Sequence, residues 1–336
     1  MTVFVTGASG HLGLTLVRRL LDDGRHVRTL TRYRTSRYLA DLSIEFVDGD
    51  LRIERSLHSG FEGVEVVYHT AGVISLDPHA WPAMRALNVE GTRTIVSLCQ
   101  AHHVRRLIHI SSLEVFRTDP LTQPLDELRP LVADDVPLPY PRSKVASQRL
   151  VERAVARGLD AVILVPSALL GPNDYKLSAA NAYILQLARG GLPGLVNGGY
   201  DWVDVRDVVA GAVRAEQVAT AGATYILSNQ WASLRTIASM VEAAGGARSP
   251  RFTFPAWMAY LGIGPMRLLA SLQGRQSLFT EQSLDAALSS NHHILHDHAT
   301  ADLGYQPRPL AETVADTVDW FEDIGLFTRR RKPLAR

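Results

Sequence analysis

Thr6-Gly7-Ala8-Ser9-Gly10-His11-Leu12-Gly13 decides how this chain is read. It follows a short apolar run, Val3 to Thr6, and leads into a stretch where Leu12, Leu16, Val17 and Leu20 share one helical face before Gly24 stops it. Glycines between a strand and a helix serve three needs: a tight turn, backbone approach to a pyrophosphate, and close packing of helix on strand. The helix start adds free N–H groups and a partial positive charge. A glycine pattern alone is weak. Directly after a strand and before an amphipathic helix, it predicts dinucleotide binding, with Gly7, Gly10, His11, Leu12 and Gly13 around the phosphates.

On either side of later helical stretches come more short apolar runs: His26–Thr31, Ile44–Val47, Val66–Thr70, Leu107–Ser111 and Ala161–Val165. Helices are expected over Pro82–Gln100 and Ser143–Arg157. Strands apolar throughout, rather than alternating, are buried on both faces, so the fold class is α/β: a Rossmann-type doubly wound parallel sheet. After Pro166 the rhythm becomes irregular, with a helix near Ala179–Arg189, a turn at Asn197-Gly198-Gly199 into a strand at Trp202–Val205, and another strand at Tyr225–Leu227. The expected organisation is a dinucleotide-binding domain over 1–170, with 202–230 returning to it. A smaller, mostly helical substrate lobe takes 171–201 and 231–328, and 329–336 forms a basic tail. No internal repeat is visible.

Composition narrows the class further. The 336 residues are 46% hydrophobic and 21% charged, which excludes a disordered chain. Lys and Arg number 35 against 34 Asp and Glu, so there is no electrostatic footprint for nucleic acid. The single cysteine, Cys99, builds neither an intramolecular disulfide nor a thiolate metal site. With no basic leader before Gly7, the expected location is cytoplasmic. The apolar stretch Pro255–Leu272 is interrupted by Gly262, Gly264, Pro265 and Arg267, which predicts a bent helix pair facing substrate rather than a membrane span.

The end of the second strand reads the adenosine ribose. A carboxylate there accepts from a 2′-OH and repels a 2′-phosphate, whereas an arginine pairs with the phosphate. The chain has Thr31-Arg32-Tyr33-Arg34, with Arg37 close behind and no carboxylate before Asp41. NADP(H) is therefore preferred, through Arg32, and NAD(H) stays open. Asp50, followed by Leu51, ends the third strand where the adenine edge would lie.

Tyr140-Pro141-Arg142-Ser143-Lys144 sets a phenol and an ammonium on one face at the start of a helix. A tyrosine near pKa ~10 is a poor acid–base group at neutral pH. A lysine charge, joined by an oxidised nicotinamide ring, is expected to lower that pKa. Ser112 ends the strand Leu107–Ser111, at the edge where ligands bind, and could hold a substrate oxygen.

With these pieces together, the chain resembles an extended short-chain dehydrogenase/reductase of the NAD-dependent epimerase/dehydratase superfamily. The resemblance runs nearly end to end: the glycine loop, Gly49-Asp50-Leu51, His69-Thr70-Ala71-Gly72, Asn88-Val89-Glu90-Gly91-Thr92, Ser111-Ser112, Tyr140 to Lys144, Pro166-Ser167 with Gly171-Pro172, and Val203-Asp204-Val205-Arg206-Asp207. It implies a catalytic triad of Ser112, Tyr140 and Lys144. Lys144 would also bind the nicotinamide ribose, and Thr70, Ala71, Gly72 and Pro166 would lie along the cofactor. Asn88 is read as a structural anchor.

Departures from the pattern choose among the superfamily's chemistries. Sugar dehydratases place Asp-Glu directly after the active-site Ser or Thr, and this chain has Leu113-Glu114. Nucleotide-sugar epimerases commonly carry an arginine where Tyr200 stands, and another where Val165 precedes Pro166-Ser167. The chain thus resembles the dihydroflavonol-reductase-like and hydroxysteroid-dehydrogenase-like branch. That branch implies reduction of a ketone or aldehyde on an apolar or aromatic small molecule, or oxidation of the alcohol. The alternatives kept are an NAD-dependent nucleotide-sugar epimerase and a non-catalytic dinucleotide-binding redox sensor. A homodimer through the Tyr140 helix is an analogy only.

Weaker signals are read as structural. His292, His293, His296 and His298 invite a metal, but no cysteine accompanies them and the chemistry needs none, so no metal is expected. Glu114 is read as a supporting carboxylate bonded to backbone, and Asp126 and Glu127 as structural residues near the rim. Arg206-Asp207 is expected to order a turn and cap the following helix.

Overall fold

A computed structural model describes residues 1–31, 38–75, 77–272 and 280–329. Arg32, with the rest of 32–37, and the tail from 330 onward lie outside the described residues. In chain order the strands are β1 (Thr2–Thr6), β2 (His26–Thr31), β3 (Glu45–Asp48), β4 (Val66–His69), β5 (Arg106–Ile110), β6 (Ala161–Pro166), β7 (Ala168–Leu170), β8 (Leu195–Val196), β9 (Gly199–Asp204), β10 (Thr224–Leu227), β11 (Gln230–Ser233) and β12 (Thr253–Phe254). Among the described residues, seven form one parallel sheet in the order β10-β6-β5-β4-β1-β2-β3. The strand order reverses at β1, which opens a crevice at the carboxyl edge between β1 and β4.

Burial on both faces follows from the pleat. Val3 and Val5 point into one core with Tyr68, Ile108, Val162 and Leu164, while Phe4 between them points into the other with Val67, Leu107 and Ile163. Helices α1 (His11–Asp22), α2 (His58–Phe61), α3 (Trp81–Met84), α4 (Gly91–Ala101), α5 (Pro139–Val155), α6 (Ala179–Arg189), α7 (Val205–Val218), α8 (Leu234–Ala243), α9 (Ala256–Leu272), α10 (Glu281–Leu288), α11 (Asp297–Leu303) and α12 (Leu310–Asp323) complete the chain. The first core takes its cover from α1 and α7, the second from α4 and α5. A third core, built from α6, α8 and α12 around Trp202, Ile237 and Phe321, belongs to the lobe after β6. There β7, β9 and β11 make a second sheet, and β8 pairs with β12.

Three sequence expectations need revision. α5 starts at Pro139 rather than Ser143, because Pro139 and Pro141 occupy the first turn, where backbone N–H groups need no helical partner. α9 runs unbroken to Leu272 through Gly262, Gly264 and Pro265, where a bent pair was expected. A proline frees the carbonyl four residues back, here on Leu261, which is exposed, so water can satisfy it. Finally, Asp204 rather than Arg206-Asp207 caps α7: its carboxylate accepts from the Arg206 N–H at 2.8 Å. Asp207 instead holds Arg308 across the lobe at 2.9 Å. No described helix is long and apolar enough to cross a membrane.

Candidate active site

The glycine loop joins β1 to α1 at the strand-order reversal. Gly7 has φ +74°, and a Cβ there would lie 2.7 Å from the Ala71 nitrogen. A Cβ on Gly13 would lie 2.2 Å from the Gly7 carbonyl oxygen, so helix and turn touch backbone to backbone. Gly10, the residue before α1, offers no side chain to cap the helix. The first-turn N–H groups therefore face outward without a side-chain acceptor. That is the cradle a pyrophosphate needs.

The neighbouring strand ends are pinned to this loop. Thr70 donates its hydroxyl to the Thr6 carbonyl at 2.6 Å, and the Ala71 N–H donates to Thr6 Oγ1 at 3.2 Å. Asn88 lies in a π-helical turn, 85–90, between α3 and α4. Its Oδ1 accepts from the Val73 N–H at 2.8 Å, while Nδ2 donates to the Val73 carbonyl and to Ser143 Oγ, each at 2.9 Å. One side chain thus fixes the Ala71-Gly72 backbone relative to the start of α5. Asp50 and Leu51 follow β3 at the same edge. The Asp50 carboxylate takes the Arg52 N–H and guanidinium, and the Leu51 side chain is core, which leaves backbone as its outward-facing part. Pro166 closes β6, buried opposite Leu227.

Lys144 reaches the last carbonyl of β5, and Tyr140 lies by Ser112 just beyond that strand. Ser112 lies close enough to Tyr140 for its hydroxyl to favour the ionised phenol. The Ser112 hydroxyl also accepts from the Glu114 N–H at 3.3 Å, starting a short turn over 113–115. Lys144 is 8% exposed, and its Nζ donates to the Ile110 carbonyl at 2.7 Å. Desolvation brings the ammonium down to about 8, because a buried charge is disfavoured. In the protein alone, the expected lowering of the Tyr140 pKa is reversed. Burial pushes the phenol up to about 12, the Glu114 carboxylate adds to the rise, and the Ser112 hydroxyl opposes it only in part.

Sequence reasoning assigned Tyr200 no place in the site beyond noting that it stands where an arginine is common. The structure buries its phenol, which raises it to about 12, and the Glu114 charge adds to the rise. The Tyr200 hydroxyl donates to the Ser283 carbonyl at 2.7 Å. Glu114 is exposed by surface area, yet enough protein surrounds its carboxyl to raise its pKa. Its side chain faces Tyr140 and Tyr200 electrostatically, which departs from the backbone-bonded support expected of it. Glu127 lies elsewhere: it accepts from the Ile226 N–H of β10 at 2.7 Å, closing the open edge of the sheet.

Beneath the site, His69 Nδ1 lies 2.8 Å from Thr6 Oγ1 and its Nε2 lies 2.9 Å from Thr92 Oγ1. Burial and the Lys144 charge hold this ring neutral, its pKa lowered to about 3. The histidines near the carboxyl terminus have separate partners. His292 stacks on Trp231 at 3.8 Å, His296 meets Thr300, and His298 lies 3.2 Å from Asp302. Among the described residues no three His, Cys, Asp or Glu side chains gather as a metal set.

Comparison with known proteins gives the family and the fold. The model of the NAD dependent epimerase/dehydratase family matches residues 3–227. Sterol demethylase protein B of Methylococcus capsulatus is 32% identical over 332 residues, covering 97% of this chain and 100% of that protein. A 2-alkyl-3-oxoalkanoate reductase of Stenotrophomonas maltophilia is 29% identical over 329 residues, covering 92% and 95%. Among solved structures, the crystal structure of gox2253 superposes with a TM-score of 0.81 at 30% identity, covering 97% of this chain and 99% of that one.

Proposed function

Because the chain belongs to the NAD dependent epimerase/dehydratase family, as an extended short-chain dehydrogenase/reductase, we propose that it is an NADP(H)-dependent oxidoreductase acting on a ketone or aldehyde of an apolar or aromatic small molecule. The observation that carries the reading is the placement of the Tyr140 phenol by Ser112, kept neutral by burial, with Lys144 one turn along α5 reaching the end of β5. When bound, the dinucleotide supplies or accepts a hydride. Gly7 to Gly13 would hold its pyrophosphate, Thr70 to Gly72 and Pro166 would lie along it, and Asp50 with Leu51 would meet the adenine.

Ser112 holds the substrate oxygen by its hydroxyl. Tyr140 donates its proton to that oxygen as negative charge develops there, and Lys144, still cationic at pH 7, stabilises the phenolate left behind. A neutral donor suits the reductive direction. Tyr200 in place of a cation removes a grip on a sugar diphosphate, which favours an uncharged substrate. One relative is named a 2-alkyl-3-oxoalkanoate reductase, which supports reduction of an oxo group, though that substrate carries a carboxylate.

The first test is to denature the purified protein, identify any dinucleotide released, and titrate the emptied protein with NADPH and NADH by fluorescence. Clear preference for NADPH with no retained NAD supports the proposal. Tightly retained NAD overturns it in favour of an epimerase that returns hydride within one cycle. Arg32→Asp is expected to raise the Kd for NADPH far more than that for NADH. Equal changes would remove Arg32 from 2′-phosphate recognition.

A further inference from the structure

Residues 172–178 leave the second sheet and lie against the glycine loop and α1. Lys176, an exposed side chain, donates from Nζ to Ser9 Oγ at 2.8 Å. The segment is fixed on both sides of it. His11 Nε2 lies 3.0 Å from the Pro172 carbonyl, and its Nδ1 lies 3.9 Å from Asp174 Oδ2. Arg18 donates to Asn173 Oδ1 at 2.6 Å. The Tyr175 ring stacks on Tyr38 with centroids 4.1 Å apart and planes 18° from parallel. Asn173 and Leu177 take φ values of +71° and +53°, a left-handed shape that asparagine adopts readily and leucine rarely.

The ammonium is thus held at the middle of the phosphate-binding turn, and the residue before it, Tyr175, stacks on Tyr38, seven positions beyond the end of β2. A dinucleotide carries negative charge in two places: the pyrophosphate over that turn and, in NADPH, the 2′-phosphate at the end of β2. The ammonium's partner in the protein alone is a neutral hydroxyl, which competes weakly with a phosphate oxygen for a lysine ammonium.

We propose that Lys176 is a dinucleotide-phosphate ligand contributed by the substrate lobe, exchanging Ser9 for a phosphate oxygen when the cofactor binds. The assignment rests on the dinucleotide reading above. Cofactor occupancy then tightens the contact between the segment that begins the substrate lobe and the turn that binds phosphate.

The test is fluorescence titration of the wild-type protein, Lys176→Gln and Lys176→Arg with NADPH and with NADH, at low and at raised KCl. Loss of one charge-assisted hydrogen bond is expected to raise Kd about tenfold in the glutamine variant. Arginine should recover most of it, and the salt dependence should flatten without the cation. An equal rise for both dinucleotides puts the ammonium on the pyrophosphate, and a rise confined to NADPH puts it on the 2′-phosphate. Either supports the assignment. Unchanged constants in a variant that melts like the wild type overturn it, as does a loss that arginine fails to rescue with salt dependence unaltered. Wild-type protein that binds neither dinucleotide overturns the dinucleotide reading itself, and this assignment with it.

Discussion

Lys144 shows how chemistry and stability oppose each other at one residue. Its folded pKa is lowered to about 8, so between about 8 and the ordinary lysine value near ~10.4 the unfolded chain binds more protons than the folded one. Stability should therefore rise with pH across that window, and the burial cost is fully present below it. Lys144→Met is expected to stabilise the protein at pH 7 by about 1–2 kcal/mol, net of the hydrogen bond lost at Ile110, and to abolish turnover. Thermal denaturation at pH 7 and pH 10 checks this: the gain should shrink at the higher pH. Reduction by the wild type should slow above pH 8 as the ammonium is lost, and a profile flat to pH 10 would remove Lys144 from the step. Tyr140→Phe is expected to lower turnover at least about a hundredfold while dinucleotide affinity holds. Turnover close to wild type would end the acid–base assignment.

At the level of elements, the π-helical turn before α4 aims Asn88 at both the loop after β4 and the start of α5. Asn88→Ala leaves the half-buried Val73 N–H and carbonyl without this partner, at a cost of about 1–3 kcal/mol. It should also loosen the Ser143 contact one turn from Tyr140, so turnover should fall along with the melting temperature. Wild-type melting would show that water or another group replaces the amide. Such elements differ in how much the sequence revealed. The strands of the main sheet were legible because two covered faces demand unbroken apolar runs, and the glycine loop because a phosphate cradle constrains backbone. The sequence reading begins the helical stretch late, at Ser143, although Tyr140 to Lys144 reads as lying at a helix start; Pro139 and Pro141 sit in that first turn. The influence of the Glu114 charge on Tyr200 was invisible, because those residues lie far apart in the chain with no periodicity linking them. The same holds for the hold of 172–178 on His11, Arg18 and Ser9.

Across the whole molecule, the two edges of the main sheet carry different duties. The carboxyl edge gathers the strand ends described above. The opposite edge is tied by charge: Glu216, 2% exposed near the end of α7, receives Arg25 at 3.1 Å, Arg105 at 2.6 Å and the Tyr68 hydroxyl at 2.9 Å. Arg106 holds Asp160 at 2.8 Å and donates to the Ala215 and Glu216 carbonyls, closing the last turn of α7. Removing one partner of a buried cluster strands the others, so Glu216→Gln is expected to cost about 2–4 kcal/mol. Because the cluster sits away from the carboxyl edge, affinity for NADPH should stay as it was. Denaturation and titration on the same sample check both, and a large change in affinity would show that the two edges are coupled.

The place of β10 in the main sheet has a temporal consequence. Residues 161–166 reach their outer neighbour only when residues 224–227 exist, and the intervening chain builds much of a second lobe first. A ribosome making this protein therefore releases a nearly complete sheet with one bare apolar edge, and must extend through dozens of further residues before that edge is covered. Over that interval the nascent chain is open to pairing with a neighbour of its own kind. Glu127, already synthesised and waiting beside the gap, then meets the last strand as it arrives.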